Sequence, residues 1–156
     1  MRPLMRPLMR RGWTRRFRGD ARGATAVEFA LVAGPLLMLL FGTIEFGRVM
    51  WLRQALEETA TVGARCMAIP QPECMSGTAY DATKARAFIT AQAAGWGMVI
   101  GPSNLTISRN STCSGLPGFS TVSLSYTFSS AAPALLQTLG NGPTLTTQVC
   151  FPNQSS

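Results

Sequence analysis

The chain contains no histidine. That absence removes the usual general base of a serine or cysteine hydrolase and one of the common zinc ligands. Its four cysteines form no Cys-x-x-Cys pair, so the spacing of a zinc site is missing as well. There is no glycine-rich phosphate loop and no recognisable setting for a nucleophile. An exported enzyme therefore finds little support, and neither a metal nor a cofactor is expected. Acids are scarce too, seven against fourteen basic residues, which gives a net charge of +7. The excess is wholly local. Residues 1–23 hold eight arginines and one acid, Asp20, for a net +7, whereas residues 24–156 hold six basic and six acidic residues, for a net of zero.

After the arginines comes the stretch that organises the chain. Phe29 to Ile44 is a run of sixteen uncharged, mostly apolar residues between Glu28 and Glu45. Counted from Ala24 through Glu28 to Ile44, a helix would reach about 31 Å, close to the hydrocarbon thickness of a bilayer. An excess of positive charge on the N-terminal flank predicts a cytoplasmic N-terminus and a C-terminal part across the membrane. Nucleic-acid binding, the other use of an arginine run, is set aside because the run abuts a membrane helix and has no folded partner. Three segments are expected: a basic cytoplasmic leader (1–23), a transmembrane helix (24–47) and an exported domain (48–156). The leader opens on a direct repeat, MRPLMRPLM, whose prolines exclude a helix and whose Met5 and Met9 are further candidate starts. Trp13 and Phe17 are candidates for the headgroup region.

An ordinary signal peptide has a shorter apolar core followed by a small-x-small cleavage site. Here the apolar stretch is longer, contains Pro35 and runs on into GRVMWLRQALEE, so cleavage after it is not expected. Cleavage before it has a specific form. Gly23-Ala24-Thr25-Ala26-Val27-Glu28-Phe29 resembles the processing site of type IV prepilins. The wider run from Arg22 to about Ala60 resembles the TadE-like pseudopilins of tight-adherence (Tad, Flp pilus) systems. Its points of likeness are Arg-Gly, Ala-Val-Glu-Phe-Ala, Pro35, Gly-x-x-Glu-x-Gly at 42–47, and the helix after it. The resemblance implies a membrane prepilin peptidase that cuts after Gly23 and leaves Ala24 as the new N-terminus, with Glu28 at the fifth position and Phe29 as the aromatic after it. It also implies that Glu28 pairs with the N-terminal amine of a neighbouring subunit. A carboxylate in a bilayer costs a few kcal/mol or more and is normally partnered. The plainer alternative is that Glu28 is solvated at the headgroup boundary.

Beyond the apolar run, Arg48 stands three residues after Glu45, within pairing reach. Pro35 removes a helix hydrogen bond and is expected to kink or loosen the helix. Gly34, Gly42 and Gly47 offer close-approach points for another helix. Val49, Leu52, Leu56, Ala60, Gly63 and Met67 recur at three- and four-residue spacing, which predicts that the helix continues to about Met67, where Pro70 and Pro72 stop it. Thr78-Ala79-Tyr80-Asp81 reads as a capping box before a helix that ends near Gly95. The period then changes to two. Leu105 and Ile107, then Val122 to Phe128, then Leu145 to Phe151 alternate with polar residues and predict three half-buried strands, with turns at Gly-Pro-Ser, Leu-Pro-Gly and Asn-Gly-Pro. The expected fold is α+β: a long N-terminal membrane-spanning helix continuing into a small exported head, with one further helix and a three-stranded antiparallel sheet.

Four cysteines in an exported domain of this size favour two disulfides. If the last two strands are antiparallel, Cys113 comes near Cys150, leaving Cys66 and Cys74 to close a local loop; two other pairings remain open. Asn104, Asn110 and Asn153 begin Asn-x-Ser/Thr triplets, which a Ser/Thr-rich chain yields by chance. The resemblance implies a minor pilin or pseudopilin in the bacterial inner membrane. Its partners would be the prepilin peptidase, other pilins, the inner-membrane assembly platform and the bilayer, with no nucleic acid. The competing expectation is an uncleaved single-pass protein with a disulfide-bonded periplasmic interaction domain.

Overall fold

In the computed structural model the described residues are 21–69, 71–129 and 144–154. Residues 1–20 of the leader, Pro70 and the Asn-Gly-Pro turn lie outside them. The chain divides into two units, Met1–Glu45 and Phe46–Ser156.

Helix α1 spans Ala21–Ala68 and carries Pro35 inside it, with the helical assignment unbroken there. Its first part is rich in Ala and Leu, good helix formers. Within the second unit the predicted stripe is the buried one: Leu52, Leu56, Ala60, Gly63 and Met67 are buried, and Val49 is half-buried. Pro72 starts a 3-10 turn, Pro72–Cys74, shortly after the helix ends. Strands β1 (Met75–Ser76) and β2 (Ala79–Tyr80) then form a small antiparallel hairpin that the sequence pattern does not anticipate.

Helix α2 is Ala82–Gly95. Its N-cap is Asp81, whose Oδ1 accepts from the backbone N–H groups of Thr83 at 2.9 Å and Lys84 at 3.2 Å. The expected capping box placed Thr78 at that position. Thr78 instead lies in the turn of the β1–β2 hairpin, and the one-turn reach of Asp81 to Thr83 and Lys84 decides where the helix begins. These two N–H donors hold the Asp81 carboxyl below its ordinary 3.8, the Lys84 bond contributing most. A carboxyl group with a depressed folded-state pKa stabilises the fold above its unfolded value, and the contribution disappears as pH falls through the folded value. Asp81→Ala should therefore lower Tm at neutral pH, and its Tm should converge on the wild type as pH drops below 3.8. Asp81→Ser, which keeps an acceptor, should lie between them and show less pH dependence. Melting curves of the three proteins across pH check this, and a constant gap at acid pH would refute it.

A three-stranded antiparallel sheet comes next, in the order β3 (Leu105–Cys113), β4 (Leu116–Thr127), β5 (Thr144–Pro152). The β3–β4 turn is Ser114-Gly115, with φ of 51° and 84°, and Cys113 pairs with Leu116 across it. Positive φ at both central residues is the hairpin geometry that matches strand twist. Leu-Pro-Gly (116–118), expected to turn, is instead the start of β4. The register aligns Leu105 with Leu124 and Ile107 with Val122, and on the other side Val122 with Val149 and Tyr126 with Leu145. All of these residues belong to the core cluster or pack on it, together with the 52–67 stripe of α1 and Ala85, Ile89 and Ala93 of α2. The opposite face is Ser, Thr and Gln. Tertiary bonds fix the assembly: Arg86 Nη1 donates to Leu105 O at 2.9 Å, Lys84 Nζ to Met75 O at 2.9 Å, and the Gln154 N–H to Ala68 O at 3.2 Å.

Candidate processing site and helix-packing surface

Gly23, Ala24, Glu28 and Phe29 all lie in the first turns of α1. All four are exposed, Phe29 to 74%, and a Cβ placed on Gly23 would meet nothing within 4 Å. The Gly23-Ala24 bond lies two residues after Ala21, the first described residue of α1. Glu28 sits one turn beyond Ala24, at the i,i+4 spacing that puts two residues on one face. After a cut at Gly23, an ammonium group on Ala24 would stand at the positive end of the helix dipole, an unfavourable place for a cation. A carboxylate one turn away would offset it.

Apolar exposure is concentrated on this helix. Among the described residues, every large hydrophobic side chain left exposed lies on α1 between Val27 and Trp51, apart from Trp96, Val99 and Leu116. Gly34, Gly42 and Gly47 have no neighbour within 4 Å of an added Cβ, so they are open to a helix from elsewhere. Pro35 is on the same stretch, and Glu45 is half-buried where the apolar run ends. The segment from Gly23 on forms a helix long and apolar enough to cross a membrane, with a mean hydropathy of 2.0 in its most apolar window.

In the head, one disulfide joins Cys66 to Cys74 (Cα–Cα 5.9 Å) and the other Cys113 to Cys150 (Cα–Cα 6.4 Å). The first pair is fully buried and the second half-buried. Asn153 secures the C-terminal end of β5: its Nδ2 donates to Asn110 Oδ1 at 2.7 Å, and its Oδ1 accepts from Ser120 Oγ at 2.6 Å. Asn110 occupies an irregularity in β3 with φ 62°. Tyr80 packs its ring under Arg109, 5.3 Å from the guanidinium, and its hydroxyl donates to Met67 Sδ at 3.3 Å. Burial raises the Tyr80 pKa against the opposing pull of Arg86 and Arg109. A shallow hydroxyl-lined depression of about 310 Å³ lies on the polar face of the sheet, and a cleft of about 350 Å³ lies beside Trp51 and Trp96. No group of metal-binding side chains occurs among the described residues. The Trp51–Trp96 contact is invisible in the sequence because nothing local links residues so far apart; the two tryptophans themselves are the only signal.

An apolar helix of membrane-crossing length and a small head cross-linked by two disulfides define a membrane-anchored α+β protein. Residues 23–65 match the model of the TadE-like protein family, so that segment is similar to the family's. No curated protein and no solved structure matches the chain.

Proposed function

We propose that the protein is a TadE-like minor pilin or pseudopilin that acts in assembly of a Tad/Flp-type pilus for adhesion or secretion, after a prepilin peptidase has cut it behind Gly23. The observation that carries this reading is the exposed Gly23-Ala24…Glu28-Phe29 sequence at the head of an apolar helix, coincident with the start of the family match at residue 23. In this reading residues 24–47 span the bacterial inner membrane, the leader is cytoplasmic and residues 48–156 are periplasmic, with passage into the pilus as a later step. The open glycines at 34, 42 and 47 receive helices of other pilins and of the assembly platform. Glu28 neutralises the amine of Ala24, in its own chain or in a neighbour. No step in this reading requires catalysis by the chain itself. The two buried or half-buried disulfides favour an oxidising compartment for the head, in keeping with export.

The test is the N-terminus of the mature protein, purified from the membrane of a host with its own prepilin peptidase, by intact mass and N-terminal sequencing. The wild type should begin at Ala24, and Gly23→Arg should retain the leader in full. A wild type that keeps its arginines would leave a membrane-anchored periplasmic domain with an uncut helix.

A further inference from the structure

We propose that the corner of the head after α2, Trp96 to Val99, is seated in the headgroup layer of the bilayer, with Trp51 and Trp96 as a paired aromatic anchor. This rests on the reading of α1 as membrane-spanning. Trp51 lies seven residues after Ile44, about 10 Å along the helix. Exposed apolar side chains continue past Ile44 through Phe46 and Met50, which moves the hydrocarbon boundary towards Trp51. Side chains on a helix lean towards its N-terminus, so the Trp51 indole points back towards the membrane.

Trp96 comes from a different element to the same level. It caps the end of α2 and meets Trp51 edge to face, ring centroids 5.9 Å apart at 73°. Both rings stay substantially exposed, 52% for Trp51 and 39% for Trp96. The turn after Trp96 is held by N–H donors of Trp96 and Met98 to Ala93 O and of Gly97 to Ala94 O, and Gly97 takes φ 77°. It leaves Val99 87% exposed between buried Met98 and Ile100. A water-facing head gains nothing from displaying two indoles and a valine there. Indole, apolar in body with one N–H donor, is the side chain that partitions to the membrane–water boundary. The occupant of this surface is therefore lipid, continuous with the lipid around α1.

The full chain in phosphatidylcholine–phosphatidylglycerol nanodiscs, with Trp13→Phe and Trp51→Phe, leaves Trp96 as the only indole. Lipids brominated near the headgroup end of the acyl chain should quench its fluorescence roughly twice as strongly as lipids brominated near the chain terminus. Aqueous acrylamide should quench it less than it quenches the same protein in denaturant. Full acrylamide quenching with no response to either brominated lipid overturns the proposal. So does lipid quenching that fades as copies per disc increase, which would mean that a second copy covers the surface. A parallel protein carrying Phe41→Trp with all three native tryptophans changed to Phe reports on the span. Deep quenching there with silence at Trp96 defeats the seat alone; no quenching at either position defeats the span and the seat with it.

Discussion

Gly63→Leu is expected to leave the head unfolded while α1 still inserts in membranes. Gly63 is buried on the inner stripe of α1, where α2 crosses it, and a Cβ there would stand 2.6 Å from Ile89 Cγ1 and 2.8 Å from Ile89 Cδ1. Ile89 is fully buried, so its side chain has no solvent to retreat into, and Val122 Cγ2 already stands 3.6 Å from the same point. Overpacking by a methylene or two costs about 1–3 kcal/mol. Four added carbons exceed what a head of this size, with stability near the lower end of about 5–15 kcal/mol, can lose. Gly63→Ala is the graded case. Alanine gains about 1 kcal/mol in helix propensity, against a contact that real side chains do not make, and the net should be a loss of about 1 kcal/mol. Ile89→Ala removes both clashing atoms and alone costs about 2–5 kcal/mol. The double variant Gly63→Ala/Ile89→Ala should be more stable than the sum of the single effects by about 1 kcal/mol or more. Denaturant melts of the four proteins in detergent, followed by near-ultraviolet circular dichroism, give the coupling. Strict additivity would mean that α1 and α2 separate freely at this point.

That close approach is legible in the sequence only in outline. The recurrence of Val49, Leu52, Leu56, Ala60, Gly63 and Met67 identifies the face of the helix that is covered, because burial on a helix follows its period. It says nothing of which residue opposes Gly63. The strands are legible for the same reason: Val122, Leu124 and Tyr126 face the core and their Ser and Thr neighbours face away. The failures are local and short. Strands of two residues, as in Met75–Ser76 and Ala79–Tyr80, have no period to detect. Thr78 and Asp81 both carry oxygens able to cap, and the choice falls to Asp81 because Thr78 is engaged in the hairpin turn. Leu-Pro-Gly has the composition of a turn, but Ser114-Gly115, one step earlier, takes the positive φ values that a two-residue hairpin needs. The processing sequence is legible as a motif. The geometry adds that it is exposed and lies within the first described turns of α1.

The two disulfides should open in sequence, and the order is set by burial. Cys66 and Cys74 are fully enclosed with Leu56, Met67 and Ile89 in the core, whereas Cys113 and Cys150 sit at the polar face of the sheet, half-buried. A thiolate reductant must reach a sulfur, so it reaches the second pair without global unfolding and the first only with it. With a mild excess of dithiothreitol and rapid alkylation, mass mapping should therefore find Cys113 and Cys150 modified while Cys66 and Cys74 remain joined. The consequence is large. The outer bridge closes a sequence separation of 37 against 8 for the inner one. The chain-entropy relation gives about 3.9 kcal/mol for the longer loop and about 2.6 kcal/mol for the shorter. Reduction of Cys113–Cys150 should release the end of β5 first, because an edge-strand ladder with β4, the Asn153 bonds to Asn110, Ser120 and Gly118 O, and the Gln154 bond to Ala68 then hold it without a covalent link. Amide exchange should accelerate along Thr144–Pro152 and remain slow in α2 and in the buried half of α1. The pair of substitutions Cys113→Ala/Cys150→Ala should reproduce that pattern without reductant. If instead both bridges open together, at the rate of global unfolding, access to Cys113–Cys150 requires the whole head to open, and its half-exposure gives it no advantage over the buried pair.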